Sequence, residues 1–245
     1  KGVRAVWRRA ADGSSNIDDL LAKKKPDEPD ATGGPEGEAL AFDVSGVTFE
    51  DLKLTVDDAL AGVVGAVAVK SFTTGRLADQ AESPVELDAQ VDLTRPALSG
   101  HLSGKTKLRL DLKAHATALR DMELAWTGKA FGIEALDTKL TGSLAHDGAA
   151  GTLAATDLDV RIGATLGALR LEGSQVAGKS FGYDPSKKHL ALEQLKVRVA
   201  GKQDGHPLRL DLDWPKLAVD GSALRGGPRS GGQALEGPPV PVAAV

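Results

Sequence analysis

One stretch of the sequence matches the phosphate-binding loop of nucleotide-binding proteins. Residues 173–180 read GSQVAGKS, with glycines, a lysine and a serine at the required spacing. Such a loop binds phosphate when a buried strand precedes it and a helix begins at its lysine, so that backbone N–H groups face the anion. The next residues, FGYDP at 181–185, put a glycine and a proline where the first helical turns belong. The sequence therefore favours a hairpin loop here over a nucleotide site.

Histidines and spaced aspartates are the other residues that could do chemistry. The five histidines are scattered, with no metal-ligand spacing between them. Two Asp-x-Asp pairs, Asp157 with Asp159 and Asp211 with Asp213, would each share one face of a strand and could form an acid/base pair or hold a cation. The same spacing is typical of the solvated face of an ordinary strand, and no G-x-S-x-G motif is present. We predict a protein that is not an enzyme, with no catalytic residue, no metal site and no cofactor.

Composition excludes several further classes of function. The chain has 245 residues, a net charge of −4 and a pI near 5.8, which argues against a nucleic-acid partner. It has no cysteine, so disulfides and thiolate chemistry are excluded. Aromatic residues make up only 4%, and the apolar surface is built from Leu, Val and Ala. Such a smooth aliphatic surface suits acyl chains, although a genome-wide preference for these residues would produce it too.

Any site would be positioned by strands that have one apolar face and one polar face. In PVELDAQVDL, period-two alternation places five apolar residues on one side, Val85, Leu87, Ala89, Val91 and Leu93, and acidic and amide side chains on the other. Leu108, Leu110 and Leu112 repeat the pattern in the next predicted strand. The dry face must cover either a second sheet or a ligand.

The rest of the chain also reads as short strands. Val3–Arg9 is a predicted strand, and Asn16 is a predicted N-cap for a short helix from about Ile17 to Lys23. Twelve strands follow from Ala39, the last two at Pro207–Leu212 and Leu217–Asp220, with no long helical pattern, which predicts an all-β fold. We divide the chain into an N-terminal strand and helix (1–23), a Pro/Gly/charged linker (24–38), a β domain (39–225) and a Gly/Pro-rich tail (226–245). The longest apolar run, Ala59 to Val69, is too short to span a bilayer.

Several segments together resemble one known family. They are SFTTGRLAD at 71–79, SPVEL at 83–87, RPALSG at 95–100, ADG at 11–13 leading to NIDDLL at 16–21, and FDVSGV at 42–47. In their order along the chain, these segments resemble the AsmA family of bacterial envelope proteins, which is related to TamB and more distantly to bridge-like lipid-transfer proteins.

The resemblance implies both a fold and a function. The fold would be an extended, curved, mostly antiparallel sheet that forms a groove. The protein would lie on the periplasmic face of the inner membrane, through an N-terminal anchor missing from this sequence, and act in outer-membrane biogenesis. Its groove would hold or conduct phospholipid or another acyl lipid, and the eight apolar residues named above would line it.

Other functions remain open at this point. A regulatory or assembly factor could contact outer-membrane proteins or their insertion machinery by adding a strand at an exposed sheet edge. A hydrolase could use one of the aspartate pairs, and a nucleoside triphosphatase could use the loop at 173–180.

Overall fold

The computed structural model describes residues 2–18, 43–220 and 223–225, and its regular structure is β. The fourteen strands are β1 Arg4–Arg9, β2 Asp43–Val44, β3 Thr48–Asp58, β4 Val63–Thr74, β5 Leu77–Ala78, β6 Glu82–Arg95, β7 Leu98–Asp111, β8 Ala116–Ala130, β9 Ile133–Asp147, β10 Thr152–Leu166, β11 Leu169–Asp184, β12 His189–Gln203, β13 His206–Asp220 and β14 Ala223–Arg225. In these residues, no helix has the length and apolar character needed to cross a membrane.

Twelve of the strands form one sheet, and their spatial order follows the chain. The order is β1-β3-β4-β6-β7-β8-β9-β10-β11-β12-β13-β14, while β2 and β5 form a separate two-stranded sheet. Only β1 and β3 pair in parallel, and every other pair is antiparallel. The predictions of an all-β fold and of a mostly antiparallel sheet are confirmed.

The strands are longer than the sequence predicts, and two loop assignments are wrong. Residues 173–180, predicted as a hairpin loop, lie inside β11. The two strands predicted at Pro207–Leu212 and Leu217–Asp220 are a single strand, β13. Glycine and proline suggested breaks in both places, but a strand tolerates them at bulges and at an edge. The observed strands of 14–16 residues from β6 to β13 are about 50 Å long.

The N-terminal segment differs from the prediction at Asn16. Its side chain binds the outer edge of β1: Oδ1 accepts from the Arg8 N–H at 2.7 Å, and Nδ2 donates to the Val6 carbonyl at 2.9 Å. Asn16 therefore closes part of this sheet edge instead of capping a helix. The predicted helix is not confirmed, because its residues from Asp19 onward lie outside the described part of the chain, as do the predicted linker and tail.

Strand register brings the apolar side chains of successive strands into line. One row, which we call the apolar row, crosses ten strands from β3 to β13 through residues paired directly with one another. It consists of Phe49, Phe72, Leu87, Gly104, Leu124, Leu140, Val160, Val176, Val197 and Leu212. Nine inter-strand spacings of about 4.8 Å make it about 43 Å long. We call this side of the sheet the apolar face and the other side the charged face.

Little of the described chain covers the apolar face. Of the described residues, only five apolar ones are buried, and none is larger than methionine: Ala89, Val91, Met122, Ala130 and Ala155. The face of a two-layer sandwich would bury its large leucine and phenylalanine side chains. Here the leucines and valines of the apolar row are half-buried and Phe49 is 42% exposed. Within the described residues, the fold is therefore one sheet layer with an apolar side that no second large sheet covers.

Candidate lipid-binding face

Seven of the eight predicted groove residues lie on the apolar face. Val85, Leu87, Ala89, Val91 and Leu93 alternate along β6, and the register of β7 places Leu108 and Leu110 on the same side. The eighth, Leu112, was predicted inside a strand, but β7 ends at Asp111. Leu112 lies in the following turn and is 42% exposed. Its backbone N–H donates to Asp79 Oδ1 at 2.8 Å.

Glycines on the apolar face make room for large neighbouring side chains. A Cβ atom placed on Gly104 would lie 2.4 Å from Leu124 Cδ2, and one on Gly142 would lie 2.8 Å from Leu158 Cδ2. Real Cβ atoms do not approach other atoms so closely. The leucine side chains therefore lie flat along the sheet over the glycine backbone, and the apolar face is smoother than its sequence suggests.

All three tryptophans lie on the apolar face. Register pairs Trp7 with Val56, Trp126 with Leu102 and Trp214 with Leu195, and all three are half-buried. In the sequence, period-two spacing with Met122 and Leu124 predicts an apolar side for Trp126, whereas no such spacing decides the side of Trp7 or Trp214. The face thus carries three intrinsic fluorophores, on β1, β8 and β13.

Trp126 has an unusual polar feature. Its ring lies close to Gly100, where a Cβ would come within 2.7 Å of Cζ2. Its indole Nε1–H is buried and has no hydrogen-bond acceptor in the described residues. Because a buried donor without an acceptor is costly, this N–H lowers the stability of the packing around Trp126.

Two bulges, in the middle of β8 and of β10, face each other across β9. Asp121 in β8 and Asp157 in β10 have left-handed backbone conformations, with φ of 50° and 52°, where the register shifts against the neighbouring strands. Both adjoin residues 142–143 of β9. Each carboxylate accepts from a lysine: Asp121 from Lys107 at 2.8 Å and Asp157 from Lys179 at 2.7 Å. Bulges bend a strand and increase its twist, so aligned bulges favour a curved sheet.

The charged face carries ion pairs between exposed side chains of the same and neighbouring strands. Glu123 Oε1 and Oε2 accept from Lys105 at 3.0 Å and from Lys139 at 3.4 Å, and the two lysines hold the pKa of Glu123 below its usual range. Asp211 accepts from Arg198 at 3.0 Å and Arg209 at 2.8 Å, which lowers its pKa in the same way. A cavity of about 500 Å³ lies among these long side chains around Lys105 and Glu123. Both charged and apolar residues line it.

The alternative chemistries find no support in the geometry of the described residues. The lysine of the phosphate-loop pattern, Lys179, lies mid-strand and binds Asp157. Three aspartates of the two spaced pairs bind separate partners: Asp157 binds Lys179, Asp159 accepts from Gln175 at 2.5 Å, and Asp211 binds arginines. No group of three or more metal-ligating side chains occurs in the part of the chain that the structure describes.

Sequence reasoning missed most of the apolar face beyond β7. Leu124, Leu140, Val160, Val176, Val197 and Leu212 continue the row that Leu87 belongs to. Period-two alternation is present in each of these strands, but it reveals only that a face exists. The cross-strand register that joins the faces into one row could not be read from the sequence.

Comparison of the chain with protein-family models, curated proteins and solved structures finds no match. The functional argument therefore rests on the geometry of the two faces.

Proposed function

We propose that this protein holds phospholipid acyl chains on the apolar face of its sheet, while the head groups remain in water. The observation that carries the proposal is the apolar row, which crosses ten strands without a described layer covering it. The process is passive binding and needs no covalent chemistry. In the setting that the AsmA resemblance implies, the protein would act at the periplasmic face of the inner membrane during outer-membrane biogenesis.

Burial of hydrocarbon supplies the driving force for binding. Each methylene group removed from water contributes about 0.8 kcal/mol, so about ten methylenes contribute about 8 kcal/mol before the entropic cost of association. The apolar row is about 43 Å long, which leaves room for a whole acyl chain along it.

Curvature of the sheet would turn the face into a groove. The aligned bulges at Asp121 and Asp157 favour bending, and the glycines let large side chains lie flat on the same side. A groove contacts an acyl chain on more of its circumference than a flat sheet does, and therefore removes more of its surface from water. We propose that the apolar face is the concave side.

Native mass spectrometry with organic extraction of the same purified sample tests the proposal. We expect phospholipid masses bound to the chain, displaced by detergent and restored by incubation with phospholipid vesicles. The variant Leu124→Asp should lose the bound lipid. Its matched control Ala125→Asp, one residue along the same strand on the charged face, should keep it. A chain that stays free of lipid after incubation contradicts the proposal.

A second candidate function rests on the free edge of the sheet. In the described residues, β13 pairs on its outer side only through Ala218–Asp220 with β14. No described residue pairs with the backbone of 206–217 on that side, where a further strand could add, such as a segment of an outer-membrane protein or its assembly machinery. Because the chain lacks cysteine, Leu210→Cys supplies a unique crosslinking site. Capture of an extended peptide there, in a chain that carries no lipid, would favour this function.

A further inference from the structure

Five turns lie side by side at one end of the sheet. They connect β3–β4, β6–β7, β8–β9, β10–β11 and β12–β13, at residues 59–62, 96–97, 131–132, 167–168 and 204–205. We call them, with the two residues on either side of each, the turn edge. Backbone hydrogen bonds link neighbouring turns: Phe131 N–H donates to Ala97 O at 3.3 Å, and Asp204 N–H to Ala168 O at 3.2 Å. The turn edge is therefore an ordered row about 40 Å long.

The most exposed large apolar side chains of the described residues are all on the turn edge. Phe131 is 75% exposed, Leu60 55% and Leu166 49%. Smaller apolar residues, Ala97 and Ala168 among them, are exposed in the same turns. Isolated exposed apolar residues are ordinary, but three projecting from the same end of a sheet mark an interaction surface.

Phe131 occupies its position at a conformational cost. Its φ is 51° and that of Gly132 is 84°, so both residues between β8 and β9 are left-handed. A two-residue turn of this kind strongly prefers Asn-Gly, because a bulky side chain is disfavoured at positive φ. The phenylalanine makes the turn less stable than asparagine would, and most of its ring faces solvent. Turn stability does not explain the residue, whereas binding through the ring does.

Unpaired cations accompany the apolar residues. Four basic side chains lie within two residues of the turns and form no ion pair with the described residues: Arg95, Lys129, Arg170 and Lys202. The acidic groups of the same edge are Asp57, Asp58, Glu134 and Asp204, and Arg9 neutralises Asp58. The turn edge itself has four cations and four carboxylates, so it carries none of the chain's overall negative charge.

From this arrangement we propose that the turn edge docks on the surface of a lipid bilayer. Apolar tips enter the interface between head groups and acyl chains, and the unpaired cations contact lipid phosphates. Neighbouring turns are about 10 Å apart and Leu60 lies about 30 Å from Leu166 along the row. A protein partner would need its hot spots clustered, whereas a bilayer accepts separate side chains along a line. The inference does not depend on lipid binding by the apolar face.

A fluorescent label at each end of the sheet tests the docking. In this cysteine-free chain, Ala97→Cys places a polarity-sensitive label on the turn edge beside an intact Phe131. Ala149→Cys, also an exposed turn alanine, places it at the opposite end. With vesicles of equimolar phosphatidylcholine and phosphatidylglycerol, we expect a several-fold rise in fluorescence at residue 97 and none at residue 149. An unchanged signal at residue 97, or an equal rise at residue 149, overturns the proposal.

Substitutions show whether the apolar tips cause the docking. Phe131→Asn suits the turn and should preserve the fold, while vesicle affinity in a flotation assay falls about 10-fold or more. Leu112→Asn, at the opposite end, is the matched control and should float like wild type. Phe131→Asn should also retain any lipid extracted from the apolar face, which separates the two proposals. Unchanged flotation of both Phe131→Asn and Leu166→Asn contradicts the bilayer assignment.

Discussion

Substitution of single leucines on the apolar face shows whether they bind lipid or stabilise the fold. In the variant Leu87→Asp, a carboxylate would interrupt the apolar row where Leu87 is half-buried. We expect bound phospholipid to fall below detection while the far-ultraviolet circular dichroism of the sheet persists. Leu110→Asp should behave in the same way.

The control for these variants is Glu86→Gln, which changes the neighbouring residue on the charged face. It should retain the wild-type amount of lipid. If Leu87→Asp or Leu110→Asp loses its strand signal, the leucines are structural core residues and the assignment of this face to lipid is wrong.

Glycines beneath the leucines provide a prediction about stability. Gly104→Val would put a branched side chain where Leu124 lies, with the first added atom only 2.4 Å from Cδ2. Overpacking of this kind costs about 1–3 kcal/mol, and thermal unfolding should show a corresponding fall in Tm. Gly178→Val, in the middle of β11, serves as the control because a Cβ there meets open space. An unchanged Tm for Gly104→Val would mean that Leu124 moves aside without cost.

Sequence analysis succeeds at residue scale where the alternation is strict. The five apolar residues of β6 were found because polar residues separate them without interruption. Gly100 and Gly104 gave no such signal, since glycine adds nothing to a hydrophobic period although both lie on the apolar face. Leu112 was misplaced because the period continues by one residue past the end of β7.

At the scale of elements, the bulge in β10 depends on the backbone of Asp157. Because its φ is 52°, Asp157→Gly should leave the free energy of unfolding unchanged or slightly higher. Asp157→Val should lower it by about 1–2 kcal/mol, since a β-branched residue is strained there. Denaturant unfolding measures both. Equal stabilities for the two variants would show that the bulge does not require this backbone conformation.

The parallel strand β1 is attached to β3 by a buried carboxylate. Asp58, 2% exposed, accepts two hydrogen bonds from the Arg9 guanidinium, and this arginine lowers the pKa of Asp58. A carboxyl whose pKa is lower in the folded state stabilises the fold above its unfolded pKa of about 4, and the effect is lost as pH falls through the folded value. Asp58→Asn should therefore lower Tm at pH 7.

The pH dependence distinguishes this ion pair from simple packing. The difference in Tm between wild type and Asp58→Asn should shrink steadily as the pH falls below about 4. A difference that stays constant down to pH 2 would show that the asparagine disturbs packing and that the charge of Asp58 is irrelevant.

Strand boundaries were predictable only where turn residues are unambiguous. The phosphate-loop pattern at 173–180 looked like a break because it is rich in glycine, yet the neighbouring strands pair with it on both sides through most of its length. Hydrogen bonding from two neighbours outweighs the low intrinsic preference of glycine for strands. Such an effect depends on partners distant in the sequence, and a local pattern does not contain it.

At the scale of the whole molecule, the sequence predicted an all-β chain but left open what its dry face covers. A sandwich and a single-layer sheet have the same alternation in every strand. Only the order of the strands distinguishes them, and here each long strand pairs with its neighbours in the chain to form one continuous sheet. The family resemblance, not the alternation itself, favoured a single extended sheet.

Quenching of tryptophan fluorescence by brominated acyl chains tests the central claim most directly. Trp7, Trp126 and Trp214 all lie on the apolar face, so bromine atoms on bound acyl chains would come into contact range of at least one indole. The purified chain would be loaded with dibrominated phosphatidylcholine, separated from vesicles and compared with a sample loaded with the unbrominated lipid. We predict strong quenching in the first sample only, and its loss in Trp126→Phe if the central region binds the chain. Bound brominated lipid without any quenching would place the lipid elsewhere and contradict the account.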